Sequence, residues 1–306
     1  MKHILCSVLL LGGIVQYAHA CDACGCSAAS QNLGILPQFH RHFVGVQYQF
    51  KQLDSDFPSP FAGRPASHTT QYYNTMQVWG RYNVGKRLQL FGFLPYAVNT
   101  HREDAATSRN SGPGDASVMA NAIVVHADST EAPWKQTLLL GGGVKMPTGS
   151  NTGTVEMDRK GQPNIQTGTG SWDFLLNANY TVRKGALGLN ADATYTLTTA
   201  NSYQYKYGNR LSTGITGFYW WQAGVFTLLP QVGVRYEQTL HDYDNYGKKW
   251  LNELSGGYMC FAAAGVQVYY GRLGFQSMLH LPVTQQYNAG YTRSKMRMET
   301  GLFFLF

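Results

Sequence analysis

Three cysteines stand close together near the start of this chain, at Cys21, Cys24 and Cys26, and His40 and His42 follow a short distance on. A Cys-x-x-Cys spacing lets two sulfurs reach one centre, and thiolates suit soft or borderline metal ions such as Cu(I) and Zn. The spacing therefore predicts a metal site, with His40 or His42 as a fourth ligand. Two alternatives stay open: a disulfide formed in an oxidising compartment, and a lipid attached to the first cysteine.

A second set of chemically active residues consists of charges within segments that alternate between apolar and polar residues. A charge on a lipid-facing wall costs about 2–4 kcal/mol at the middle of a bilayer, so these side chains are expected to face a shared polar interior. There they would either select small solutes by size and charge or pair with one another and fill a narrow barrel. The set is Arg81, Lys145, Asp173, Asp192, Arg235, Glu237, Lys295, Arg297 and Glu299.

The elements that must position these charges are twelve predicted β-strands, read from the alternation and from Gly, Pro, Asn and Asp at the connections. Connections after every second strand are short and the others are long and polar, as in a meander barrel. The sequence therefore predicts an all-β fold, a transmembrane antiparallel β-barrel of about 12 strands, in preference to a soluble sandwich or lipocalin-like barrel. The predicted strands are 42–51, 71–83, 87–99, 114–126, 134–146, 171–183, 186–198, 209–219, 224–237, 253–269, 272–282 and 294–306.

The last predicted strand places Leu302, Phe304 and Phe306 on one face at the period of two that strands have. In an open sheet this apolar strand would leave an unpaired edge, whereas in a barrel it pairs with the first strand. A C-terminal Phe on such a strand also resembles the signal that the outer-membrane insertion machinery reads. The pattern predicts that lipid and this machinery are partners of the chain.

The first residues have the pattern of a secretory signal. Lys2 and His3 precede an apolar stretch, Ile4 to Val15, and a small-x-small cleavage site ends at Ala20. This predicts a signal peptide over 1–20, a Cys-rich periplasmic segment over 21–41, a barrel over 42–306 with both termini periplasmic, and an outer-membrane location.

The composition agrees with a membrane barrel. Charged residues are 13% of the chain, against about 25% in soluble domains, while Gly (34) and Tyr (20) are abundant. The net charge of +7 is modest and spread along the chain, so it does not predict a nucleic-acid partner.

Three segments carry a family resemblance: Gly114-Asp115-Ala-Ser, then Gly142-Gly143-Val-Lys145-Met-Pro147-Thr-Gly149, then Gly168-Thr-Gly170-Ser-Trp172-Asp173-Phe174. In order and spacing they resemble the MetA-pathway of phenol degradation family of outer-membrane transporters. The resemblance implies uptake of aromatic or other hydrophobic compounds. Lys145 and Asp173 would lie on adjacent strands near one rim and are expected to pair. The insertion 147–170 between them either folds into the barrel mouth or stays outside it.

The predicted function is therefore a channel or transporter that passes small solutes, hydrophobic or aromatic ones among them, through a polar lumen. No cofactor is required, and no catalytic residue is predicted, since strand geometry places no Ser beside a His. The alternatives are a metal-handling protein that uses the cysteine cluster, a lipid-modifying enzyme, and a closed structural barrel.

Overall fold

The computed structural model describes residues 41–57, 67–103, 106–127, 133–151, 165–245, 247–252 and 255–306. The predicted signal peptide, the three N-terminal cysteines and His40 lie outside the described residues. Within the described ranges, no helix combines the length and apolar character that crossing a membrane requires.

The described residues form seventeen strands, which we number in chain order. They are β1 (Phe43–Phe57), β2 (Ser67–Val84), β3 (Leu88–Glu103), β4 (Ala106–Pro113), β5 (Ser117–Ala127), β6 (Lys135–Lys145), β7 (Asp173–Lys184), β8 (Leu187–Leu197), β9 (Tyr205–Lys206), β10 (Arg210–Tyr219), β11 (Trp221–Ala223), β12 (Phe226–Thr239), β13 (Tyr243–Asp244), β14 (Lys249–Trp250), β15 (Gly257–Tyr270), β16 (Leu273–Tyr287) and β17 (Thr292–Leu305).

Twelve of these strands close into one antiparallel barrel. Eleven of the twelve pairings join strands that follow one another around the barrel, and β1 pairs with β17 to complete the ring. Five small strands are additional to the ring: β4 folds back on β3, β11 follows β10 and pairs with the start of β12, and β9, β13 and β14 form a separate small sheet. The predicted all-β barrel of twelve strands is confirmed.

The two ends of the barrel differ in their connections. We call the end with tight turns, such as 85–87 and 271–272, the turn end; the chain enters β1 and leaves β17 there. We call the opposite end the loop end, because connections such as 240–256 are long. Most predicted strand bounds agree with the structure within a few residues.

The largest difference lies at the loop end, where a polar loop was predicted over 100–113. There β3 and β4 form a hairpin instead, paired from Tyr96–Pro113 to Glu103–Ala106. Its Thr, Ser and Asn residues lack the apolar alternation by which the other strands were recognised. Backbone pairing with β3 still holds them in a sheet.

Side chains alternate between the two faces of the wall as predicted. In β1, Val44 and Val46 are 49% and 46% exposed, whereas Gln47 and Gln49 are 2% exposed. Since the side-chain period of a strand is two, one face of each strand meets the lumen and the other the surroundings. The outer face is apolar and the lumen is rich in amides and charges, the reverse of a soluble β-barrel.

Candidate permeation site in the lumen

The lumen at the turn end is narrowed by a layer of large apolar side chains, which we call the aromatic floor. Two ring pairs meet edge to face, with 4.6 Å between the centroids of Phe43 and Trp79 and 5.6 Å between those of Tyr269 and Phe303. Phe93 stacks with both Trp79 and Phe91. Such contacts add about 0.5–1.5 kcal/mol per pair beyond the area they bury. The aromatic floor comprises Phe43, Trp79, Phe91, Phe93, Phe218, Tyr269 and Phe303.

Two glycines make room for Phe303 in this floor. A Cβ at Gly45 would lie 2.6 Å from the Phe303 Cβ, and a Cβ at Gly274 would lie 2.1 Å from the Phe303 ring. The neighbouring strand β1 therefore carries glycine beside the Phe303 backbone and Cβ, and β16 carries glycine beneath its ring. The floor depends on these small residues as much as on the aromatic ones.

Above the floor lies a row of amides that we call the glutamine belt, formed by Gln47, Gln77, Gln267 and Gln276. Strand register places them side by side across five neighbouring strands: Gln77 pairs with Gln47, Gln47 with Gly301, Gly301 with Gln276, and Gln276 with Gln267. All four side chains are less than 9% exposed. An amide offers both a donor and an acceptor, so the belt can bind polar groups of either kind. The glutamine belt was not predicted from the sequence, because these residues lie on four different strands and become neighbours only through the strand register.

The next level towards the loop end gathers the charges that the sequence placed in the lumen. Arg297 donates from Nη1 to both carboxylate oxygens of Glu237, at 2.6 and 2.7 Å. Arg235 donates from Nη2 to Asp192 Oδ1 at 3.1 Å. Glu299 faces the same region and is 8% exposed. These five residues come from β8, β12 and β17, and their side chains lie together in the lumen.

The family-like motif forms a buried ionic cluster at the loop end, which we call the lysine cluster. Lys145 Nζ lies 2.7 Å from Asp173 Oδ2 and 3.0 Å from Asp115 Oδ2, and it also contacts the Thr169 hydroxyl. The three charged side chains are at most 4% exposed. The predicted pairing of Lys145 with Asp173 is confirmed, and Asp115 is an additional partner that the motif contains.

Both described ends of the insertion 147–170 pack against the barrel. The Gly149 N–H donates to Asp115 Oδ1 at 3.0 Å, and the Thr169 N–H donates to Asp115 Oδ2 at 2.8 Å. Asn99, on the lumen face of β3, donates to the carbonyl of Gln166 at 2.7 Å. These contacts favour the alternative in which the insertion enters the mouth; residues 152–164 lie outside the described residues.

Arg81 faces the lumen as predicted but lies apart from the other charges. Its guanidinium stands 5.3 Å from the centroid of the Phe43 ring and donates from Nε and Nη2 to the carbonyl of Arg41, at 3.2 and 2.8 Å. Arg81 therefore lies beside the aromatic floor, at the turn end of the lumen.

The prediction that Lys295 faces the lumen is wrong. The pairing of β17 with β1 shifts between Arg297 and Ser294, so a β-bulge reverses the alternation at this point. The Lys295 side chain is 52% exposed and lies 3.5 Å from Asp54 Oδ2. Asp54 belongs to the outward-facing set of β1, so the pair lies on the outer face.

The C-terminal strand presents the apolar face that the sequence predicted. Leu302, Phe304 and Phe306 are 64%, 41% and 55% exposed on the outer wall. The Phe306 N–H donates to the His42 carbonyl at 3.0 Å, and the His42 N–H donates back at 3.1 Å, so the two chain ends of the barrel are joined directly.

The predicted metal site stays a prediction, because Cys21, Cys24, Cys26 and His40 lie outside the described residues. Within the ranges that the structure describes, no group of three or more His, Cys, Asp or Glu side chains is arranged to hold a metal ion.

An apolar outer wall, a closed twelve-stranded ring and a polar lumen define a β-barrel of the outer-membrane class. The fold is similar to that of an outer membrane channel from Pseudomonas putida F1, with a TM-score of 0.64 and 15% identity over 87% of this chain and 95% of that chain. The beta domain of a Bordetella autotransporter has a TM-score of 0.47 and 8% identity over 86% and 99%. The NanC porin has a TM-score of 0.40 and 11% identity over 85% and 98%. No family model and no curated protein matches the sequence.

Proposed function

We propose that this protein is an outer-membrane channel that passes small solutes through its polar lumen. The observation that carries this proposal is the closed ring of twelve strands with a polar inner face, which bears the glutamine belt, the ion pairs and the lysine cluster, and an apolar outer face. A polar lumen enclosed by an apolar wall is the arrangement by which membrane barrels offer hydrophilic solutes a path through the bilayer.

We expect the aromatic floor to be a constriction on the path of the solute. Trp79 and Phe303 meet within it, with ring centroids 6.4 Å apart, and side chains from several strands project into the same level. A solute would pass the charged level and the glutamine belt before it reached this layer. The resemblance to the phenol-degradation transporters supports aromatic or hydrophobic solutes, whose flat faces pack well against such rings.

We propose no catalytic activity. Four of the five charged groups described above the glutamine belt form two ion pairs with one another. A channel uses such groups to set selectivity without turnover.

The decisive experiment is single-channel conductance of the refolded mature protein in planar bilayers, beside a variant that lacks residues 21–30. Steady conductance in both supports the channel and makes the cysteine segment an accessory. The variant Trp79→Ala is expected to raise the conductance, because it widens the floor, whereas Trp172→Ala, on the outer wall at 52% exposure, leaves it unchanged. Absence of conductance in every variant would overturn the proposal.

The outer-wall residues of the last strand support a proposal about assembly. We propose that the barrel-insertion machinery binds the face formed by Leu302, Phe304 and Phe306. The variant Phe306→Ser should assemble more slowly on membranes that contain the machinery, while its spontaneous folding into lipid vesicles is little changed.

A further inference from the structure

We infer that the lumen holds a binding site for a small zwitterion of the α-amino-acid type, formed by Lys51, Glu299 and His280. The inference rests on the proposed function insofar as solutes must reach the lumen. These three side chains face the lumen and do not take part in the neighbouring ion pairs.

Lys51 and Glu299, a cation and a carboxylate on adjacent strands, form no ion pair with each other. Around them Arg297 pairs with Glu237 at 2.6 Å and Arg235 pairs with Asp192 at 3.1 Å. Within the described part of the chain, Lys51 and Glu299 have no ion pair or hydrogen bond of their own. Glu299 is 8% exposed, and an ionised side chain so buried is costly without a partner.

The two charges lie close enough together for one small molecule to contact both. In the register of β1 and β17, Lys51 is opposite Arg297 and Gln49 is opposite Glu299. Lys51 and Glu299 are therefore diagonal neighbours on the same face of the wall, at a Cα separation of about 7–8 Å. A ligand with an ammonium and a carboxylate a few bonds apart can meet Glu299 with the first and Lys51 with the second.

Further polar atoms beside Lys51 and Glu299 have no hydrogen-bond partner. His280 lies opposite Arg297 on β16 and is 3% exposed, and neither of its ring nitrogens has a hydrogen-bond partner. Gln49 Oε1, at the level of Glu299, is also without a partner. An α-amino acid has donors and acceptors for both groups.

Small residues border this site on two strands. Register places Ala263 of β15 opposite His280, and Gly301 of β17 lies two residues from Glu299 on the same face of the wall. Neither residue extends more than a methyl group toward the lumen, so we expect the ligand's own side chain to lie on this side of Glu299.

The test uses the refolded mature protein and three matched probes: L-phenylalanine, phenethylamine, which lacks the carboxylate, and 3-phenylpropionate, which lacks the ammonium. Equilibrium dialysis should show that phenylalanine binds at least tenfold more tightly than either analogue. The variants Glu299→Gln and Lys51→Met should each remove this preference. Lys295→Met, a lysine change on the same pair of strands but on the outer face, should retain it.

A charge exchange separates a specific site from a merely charged lumen. The double variant Lys51→Glu with Glu299→Lys should bind phenylalanine again, because the ligand can reverse its orientation. Heat-modifiable electrophoretic mobility confirms that each variant is folded. Equal binding of the three probes, or a preference that survives Glu299→Gln, would overturn the inference.

Conductance is measured separately, so the two proposals fail independently. A conducting barrel that binds the three probes alike rejects the zwitterion site and keeps the channel. Selective binding without conductance keeps the site and rejects the channel.

Discussion

At the scale of single residues, the lysine cluster shows how a short motif specifies a contact. The sequence predicted the pairing of Lys145 with Asp173 because the two residues flank one insertion and would begin and end adjacent strands. The structure confirms it at 2.7 Å. Lys295 shows the opposite case: a β-bulge depends on how two strands fit together, and no local pattern in the sequence marks it.

Lys145 is buried and Lys295 is exposed, and this difference predicts how much each lysine contributes to stability. Replacing Lys145 by Met leaves the carboxylates of Asp115 and Asp173 facing each other without the cation that both contact. Removal of one partner from a buried ionic group costs about 3–5 kcal/mol, so the free energy of unfolding should fall by about this amount. The exposed Lys295–Asp54 pair is worth about 0–1 kcal/mol, so Lys295→Met serves as the control.

The measurement is urea-induced unfolding in lipid vesicles, followed by tryptophan fluorescence. A second variant, Asp173→Asn, should cost less than Lys145→Met, because Asp115 still pairs with the lysine. If Lys145→Met and Lys295→Met lowered the stability equally, the ionic cluster would have no special role in holding the mouth.

At the scale of elements, the wall could be predicted and the loop end only in part. Each strand of the wall has apolar side chains outside and polar ones inside, and this alternation is a local property of the sequence. The glutamine belt needs in addition the register of five strands, which a local pattern does not contain. The hairpin of β3 and β4 and the small sheet of β9, β13 and β14 lie at the loop end, beyond the apolar wall. There the strands need no alternation of apolar and polar side chains.

The small sheet rests on Asp242, a buried carboxylate in the connection between β12 and β13. It accepts hydrogen bonds from the Tyr205 hydroxyl and the Gly208 N–H, both at 2.6 Å. Burial raises the pKa of Asp242 to about 6, from an ordinary value of 3.8, and outweighs the hydrogen bonds that favour the ionised form. The folded loop therefore binds a proton more tightly than the unfolded loop does.

This shift predicts that the loop is more stable in mild acid. A raised pKa contributes stability that is fully present below about pH 4 and is lost as the pH rises through about 6. Two pKa units correspond to a contribution of at most about 3 kcal/mol. Hydrogen exchange, corrected for the intrinsic effect of pH, should show stronger protection of 205–208 and 242–244 at pH 5 than at pH 7.5. The variant Asp242→Asn should abolish this difference, whereas Asp244→Asn should keep it.

At the scale of the whole molecule, the fold gathers charges that look dispersed along the chain. The net charge of +7 is spread through the sequence, yet seven cations lie at the turn end, in what we call the basic rim. The described residues of this rim include no Asp or Glu; Asp128 and Glu131 belong to 128–132, outside the described residues. The basic rim comprises Arg41, Lys86, Arg87, Lys135, Arg183, Lys184 and Arg272.

The basic rim stands beside aromatic side chains of the kind that occupy membrane interfaces. The Arg183 guanidinium lies 4.4 Å from the Trp220 ring centroid, and the Lys184 ammonium lies 5.1 Å from that of Trp134. Trp at the boundary of a bilayer marks the level of the headgroups. We therefore expect the rim to attract anionic phospholipids, at about 1 kcal/mol for each charge near the surface.

The triple variant Arg87→Gln, Lys184→Gln and Arg272→Gln should lose the preference for phosphatidylglycerol over phosphatidylcholine by tenfold or more. Mass spectrometry of the lipids retained in mixed nanodiscs measures this preference, which should weaken as salt screens the charges. The matched control replaces three cations of the loop end, Arg102, Arg109 and Lys249, where acidic residues such as Asp54 and Asp56 lie among the basic ones. If both triple variants lost the preference equally, total charge alone would set lipid binding. A loss confined to the turn end means that the closed ring, by bringing distant turns to one rim, creates a surface that no segment of the sequence has by itself.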